Sequence, residues 1–154
     1  MEIPITLPLD NDQFLRRECP HCVRQFKWHY GPANEEAEQN SDPATYHCPL
    51  CGQPAGPDSW WTQEQLAYAQ GVTAPAAMRE VEQGLKDAFK SARSKHVKFD
   101  FKGGFNTPDV PAPLTEADDM TIVTSPCHAY EPVKVPEDAS GPYHCLVCGQ
   151  AFAV

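Results

Sequence analysis

Cysteine is the residue type in this 154-residue chain whose spacing points to chemistry. Six of the seven cysteines fall into pairs three positions apart: Cys19 with Cys22, Cys48 with Cys51, and Cys145 with Cys148. Two thiolates on one tight turn can be aimed at a single tetrahedral ion while backbone N–H groups hydrogen-bond the sulfurs. A glycine after the second thiolate lets that turn close through positive φ, and Gly52 and Gly149 hold this position. Cys19-x2-Cys22-x25-Cys48-x2-Cys51 therefore supplies four thiolates in two pairs, the donor set of a closed structural zinc site. Cys145 and Cys148 need two more donors. Cys127 is the seventh cysteine, and His128 beside it is the natural fourth ligand. His144 competes for that role. An incomplete site is the third possibility, and an open zinc position could activate a water for hydrolysis.

The third pair belongs to an internal repeat. Tyr46-His47-Cys48-Pro49-Leu50-Cys51-Gly52-Gln53 returns as Tyr143-His144-Cys145-Leu146-Val147-Cys148-Gly149-Gln150. His47 stands beside a set already filled by four thiolates, so its counterpart His144 is expected to pack or to hydrogen-bond a thiolate. A lysine-centred run also recurs after the ligands, as Phe26-Lys27-Trp28 after Cys22 and Val133-Lys134-Val135 after His128. Adjacent Cys127 and His128 can reach one ion only where the backbone bends away from a regular strand, which Pro126 and Pro132 favour.

Short strands must carry these knuckles. The alternation over 23–28 predicts a strand leaving the first pair, and Thr45-Tyr46-His47 a strand arriving at the second. Between them, 34–43 reads as an acidic solvated loop. Thr62-Gln63-Glu64-Gln65 fits a capping box and predicts a helix over 62–70 that Gly71 stops. Thr73 then caps a second helix with Pro75 in its first turn. Its apolar stripe is Met78, Val81, Leu85, Ala88, Phe89 and Ala92, and it ends near Lys95. The strict alternation of 97–102 predicts a strand ended by Gly103-Gly104, its aromatic face covered by that stripe with Trp60 or Trp61 at the edge. Pro108, Pro111, Pro113 and the acids around them make 106–119 an extended linker. The expected architecture is a small α+β protein. A four-cysteine module (1–57) and a three-cysteine, one-histidine module (120–154) flank a middle segment of two helices and a strand (58–105).

Over roughly residues 16–56 the chain resembles the zinc ribbons, a broad class built from two cysteine knuckles and a short antiparallel sheet. Cys48-Pro49-Leu50-Cys51-Gly52 is also similar to a rubredoxin knuckle, which binds iron. Rubredoxins place glycine after both knuckles, whereas Val23 follows the first one here, so the resemblance implies zinc before iron. It implies a fold element and no particular activity.

Charge and composition bound the function. The odd cysteine count cannot pair off into disulfides, and the N-terminal stretch carries Glu2, Asp10 and Asp12 without an apolar core of signal length. Both features lead us to expect a cytoplasmic protein with thiols free for metal. No window approaches the roughly 18 apolar residues of a membrane span. A net charge of −9 repels phosphate on average. The local basic excess over 86–102, interleaved with Phe89, Phe99 and Phe101, leaves a nucleic-acid surface as an alternative to a merely solvated face. His29 and His96 lack a companion at diagnostic spacing, and no glycine-rich phosphate loop is present. The expectation is a non-enzymatic adaptor with two structural zinc ions and a protein partner. A metalloenzyme or an iron redox carrier is a further alternative.

Overall fold

A computed structural model describes residues 2–91 and 107–154. These residues form two compact units, one made of 7–63 with 114–154 and the other of 1–6 with 64–113. The first unit carries all seven cysteines and is built on two similar hairpins. Strands β1 (Phe14–Glu18) and β2 (Gln25–His29) pair antiparallel with Arg16 opposite Lys27. Four further strands follow along the chain: β3 (Tyr46–His47), β4 (Pro54–Ala55), β5 (Met120–Val123) and β6 (Val133–Pro136). In the second hairpin, β5 and β6 pair with Ile122 opposite Lys134. β2 and β6 then pair antiparallel, with Lys27 opposite Lys134, giving one sheet of order β1-β2-β6-β5. The two cysteine-bearing ends, read from the sequence as modules on either side of a linker, thus share a sheet. An approximate two-fold axis passes between the two lysines.

The repeated octapeptides carry the remaining short ladders, β3 with β4 and β7 (Tyr143–His144) with β8 (Ala151–Phe152). The core fills the space between sheet and knuckles with Phe26, Trp60, Val133, Val135, Tyr143 and Leu146. Trp60 is fully buried, edge-on to Phe26 at 5.7 Å and to Trp28 at 6.1 Å. Its carbonyl accepts the Glu18 N–H at 2.9 Å. This corrects the expectation that Trp60 would edge the helical stripe: its burial belongs to the metal-bearing unit. The acidic stretch read as a loop contains a five-residue helix, α1 (Glu35–Gln39). The Asn34 side chain caps it by accepting the Ala37 N–H at 2.9 Å, and Ala37 is its buried residue.

The break expected at Gly71 is absent, and one helix, α2, runs Gln63–Ser91 with Pro75 inside it. Two local features account for this. The Thr73 hydroxyl donates to the Ala69 carbonyl at 3.0 Å and the Gln70 carbonyl at 3.2 Å, bonding back along the helix instead of capping a new one. Pro111 lies so close to Gly71 that an added Cβ would sit 2.9 Å from its ring, so the glycine admits a neighbour and does not end the helix. Met78, Val81 and Leu85 of the stripe are exposed. Ala92, Lys95 and the strand expected over 97–102 lie outside the described residues, as does the greater part of the basic stretch 86–102.

Candidate metal centres

The two repeats bring eight donors together in two groups of four. In the first, Cys19 follows β1 directly, Cys22 closes the turn after it, and Cys48 and Cys51 flank the turn after β3. Cys19 Sγ lies 3.7 Å from Cys51 Sγ, and Cys22 Sγ lies 3.8 Å from Cys48 Sγ. Four sulfurs bonded tetrahedrally to zinc at about 2.3 Å stand about 3.8 Å apart, so the pocket between these thiols has the size of that ion. The N–H groups of His21 and Cys22 point at Cys19 Sγ (3.4 and 3.5 Å), and that of Leu50 points at Cys48 Sγ (3.4 Å). The Gly52 N–H returns to the Cys48 carbonyl at 2.8 Å with φ +78°, the closure anticipated for that glycine.

The second group joins Cys127, His128, Cys145 and Cys148, whose donor atoms all lie within 4.8 Å of one another. Cys127 Sγ is 3.5 Å from Cys148 Sγ, and Cys145 Sγ is 3.4 Å from His128 Nδ1. A sulfur and an imidazole nitrogen on one tetrahedral zinc stand about 3.6 Å apart, so His128 is in ligand position. His144 is not in the group. Its Nδ1 is 3.2 Å from the Gly149 carbonyl, and its ring lies against Gly52 of the first knuckle. Its repeat mate His47 does the reverse, covering Gly149. Backbone bonds follow the same exchange: His47 N–H to the Leu146 carbonyl at 2.8 Å and His144 N–H to the Pro49 carbonyl at 2.9 Å. The shared Tyr-His pair therefore fastens each knuckle to the other.

The degenerate knuckle is a permutation. Cys19-Pro20-His21-Cys22 stands where Ser125-Pro126-Cys127-His128 stands in the second half. The Cys22 N–H bonds back to Cys19 Sγ, and the His128 N–H bonds back to Ser125 Oγ at 3.3 Å, so Ser125 holds the place of Cys19. Its hydroxyl donates to Cys145 Sγ at 3.3 Å. Cys127 replaces the lost thiol from one residue before the final position. Sequence reasoning missed Ser125, although the shared proline marks the alignment.

The acids ahead of β1 and in the stretch read as an extended linker meet buried partners. Lys27 and Lys134 are buried at 0% and 2% exposure, facing each other across β2 and β6. Asp10 Oδ2 accepts from both, at 3.2 and 2.8 Å, while its Oδ1 caps the N–H groups of Asp12 and Phe14 at 3.0 Å. Lys27 also meets Glu116 at 3.0 Å and Asp119 at 3.3 Å, and Lys134 meets Asp12 at 2.7 Å and Asp118 at 3.3 Å. Two buried ammonium groups need these counter-charges, and the stretch read as a linker supplies three of them. Asp10-x-Asp12 before β1 thus corresponds to Glu116-x-Asp118 before β5. Three of these aspartates, Asp10, Asp12 and Asp118, cluster closely enough for a cation, and the Lys134 ammonium fills that role.

The electrostatics of the thiols fit a divalent ion. Burial raises the Cys145 thiol, but the Ser125 hydroxyl and the N–H groups of Cys148 and Val147 outweigh it and bring it down to about 7. Burial drives Cys48 strongly upward, helped by the neighbouring Cys19 and Cys22. Cys22 and Cys148 are raised for the same reasons, burial first and adjacent thiols after it. Four thiols this close cannot all ionise against one another; a bound cation removes that conflict. No family model, no curated protein and no solved structure matches this chain.

Proposed function

We propose that the chain binds two zinc ions that hold its shared sheet together, and that the folded protein acts as a protein-interaction module. The observation that carries this reading is the fit of both donor groups to a tetrahedral ion, with sulfur spacings of 3.7 and 3.8 Å in one and 3.5 Å in the other. Each group has four protein donors, the number found in structural zinc sites, whereas catalytic sites keep a position for water. All seven cysteines lie in these groups, which leaves no separate thiol as a nucleophile. Support for an interaction role comes from Met78, Val81 and Leu85, exposed together on one face of α2. A cavity of about 470 Å³ beside β2, lined by Trp28, Tyr46, Asp42 and Glu131 among others, gives the metal-bearing unit a concave surface of its own.

Elemental analysis of reduced full-length protein is expected to return two zinc ions per chain. A visible absorption spectrum distinguishes iron at a thiolate site, and a coloured protein would replace the zinc reading with a redox one. One ion or none would overturn the proposal.

A further inference from the structure

The two donor groups differ in how they meet solvent. Cys19 and Cys48 of the first are fully buried, with Cys22 and Cys51 half-covered. In the second, only Cys145 is buried, and Cys127 and Cys148 are both exposed. These two exposed sulfurs are also neighbours, at 3.5 Å. A cavity of about 220 Å³, lined by Pro126, Cys127, Gln150, Ala151 and Phe152, opens against Cys127. It leaves room for a small reagent beside the Cys127 sulfur. Thiolates react with oxidants according to their exposure and ionisation, and a bound metal keeps them ionised.

We infer that Cys127 and Cys148 form an oxidation site at which hydrogen peroxide converts the second metal centre to a disulfide and expels its ion, leaving the first centre loaded. This rests on the two-zinc reading above. Cys127 Sγ attacks the peroxide: an S–O bond forms, the O–O bond breaks and hydroxide leaves, giving a sulfenic acid. Cys148 Sγ then attacks Cys127 Sγ; the S–S bond forms, the S–O bond breaks and a second hydroxide leaves. Two thiolates give up two electrons in all, and the peroxide is reduced to two hydroxides that become water. Cys145 and His128 alone hold a divalent ion too weakly to keep it, so it departs. The crosslink between Cys127 and Cys148 takes over the metal's place in joining the end of β5 to the last knuckle. A dithiol reductant and zinc restore the starting state.

The test uses the full-length zinc-loaded chain, treated with hydrogen peroxide in the presence of a chromogenic zinc chelator. One ion of the two is expected to be released, at a rate at least about tenfold above the other. Peptide mapping should place a single disulfide at Cys127–Cys148, and dithiothreitol with zinc should reverse the change. Cys127→His keeps a ligand but removes the thiol, so zinc retained by this variant should resist peroxide. If that variant fails to bind a second zinc, the disulfide map of the unaltered protein decides alone. Release of both ions together, a disulfide within the first group, or two ions retained under peroxide that oxidises a free thiol control would each overturn the inference. Reduced protein that holds no second zinc before peroxide is added would overturn the two-zinc reading, and this inference with it.

Discussion

At the scale of single residues, the sharpest contrast is between two histidines. His128 Nδ1 sits 3.4 Å from Cys145 Sγ inside the donor group, and His144 covers Gly52 outside it. His128→Ala should therefore lose one of two ions by elemental analysis, and His128→Cys should regain it, since zinc accepts four thiolates. His144→Ala should keep both ions and lower the denaturation midpoint. Asp10 gives a second prediction, because its carboxylate stands between two buried ammonium groups. Asp10→Asn leaves Lys27 and Lys134 short of a charge and should cost about 3 kcal/mol in urea unfolding. The carboxyl is held at about 2, below the ordinary 3.8, by hydrogen bonds that outweigh its burial. A depressed folded value stabilises above the unfolded one, so this contribution is complete above pH 4 and fades as pH falls toward 2. Lys134 is raised above 10.5 by Asp10, Asp12 and Asp118 against the opposing effect of burial. Its contribution is present below pH 10.5 and is lost as pH climbs through the raised value. Compared with the unaltered protein, Asp10→Asn should accordingly show a flatter fall of stability between pH 4 and 2.

At the scale of elements, the knuckle turns bear the closest contacts. Gly149 has φ +76°, and a Cβ there would meet the His47 ring at 2.6 Å; Gly52 has φ +78° and the mirrored contact with His144 at 2.7 Å. Alanine at either position faces both backbone strain and a ring, and each change should lower stability by about 1–3 kcal/mol in thermal unfolding of metal-loaded protein. Gly84→Ala serves as the control: among the described residues nothing lies within 4 Å of its Cβ position, and α2 should gain a few tenths of a kcal/mol up to about 1 kcal/mol. Much of this level was legible in the sequence. The cysteine pairs, the turn glycines, the strand around Lys134 and the Thr62 helix start are set by residues within a few positions of one another. What was not legible depended on distant partners. Gly71 and Pro75 look like helix boundaries until Pro111 and the Thr73 hydroxyl are placed beside them. Trp60 looks like an edge residue until β1 offers it the Glu18 N–H. Ser125 hid because its role is inherited from Cys19, whose side chain it does not share.

At the scale of the molecule, the pairing of β2 with β6 changes what the two metal groups can do independently. The sequence suggests two modules held apart by a linker over 106–119. A shared sheet, with each Tyr-His segment bonded to the opposite knuckle, makes their folding interdependent. Urea unfolding followed by tryptophan fluorescence and by zinc release should therefore give one coincident transition for 7–63 and 114–154; separated midpoints would show that each half stands alone. The buried lysines also impose an order of events during synthesis. Asp10 and Lys134 are 124 positions apart, and Lys27 draws Glu116 from a comparable distance. On the ribosome, the first hairpin and its four-thiolate knuckle can close early, but Lys27 then has Asp10 without Glu116 or Asp119, and β2 carries an unpaired edge. The first half must wait, exposed along that edge, until β6 emerges to complete it.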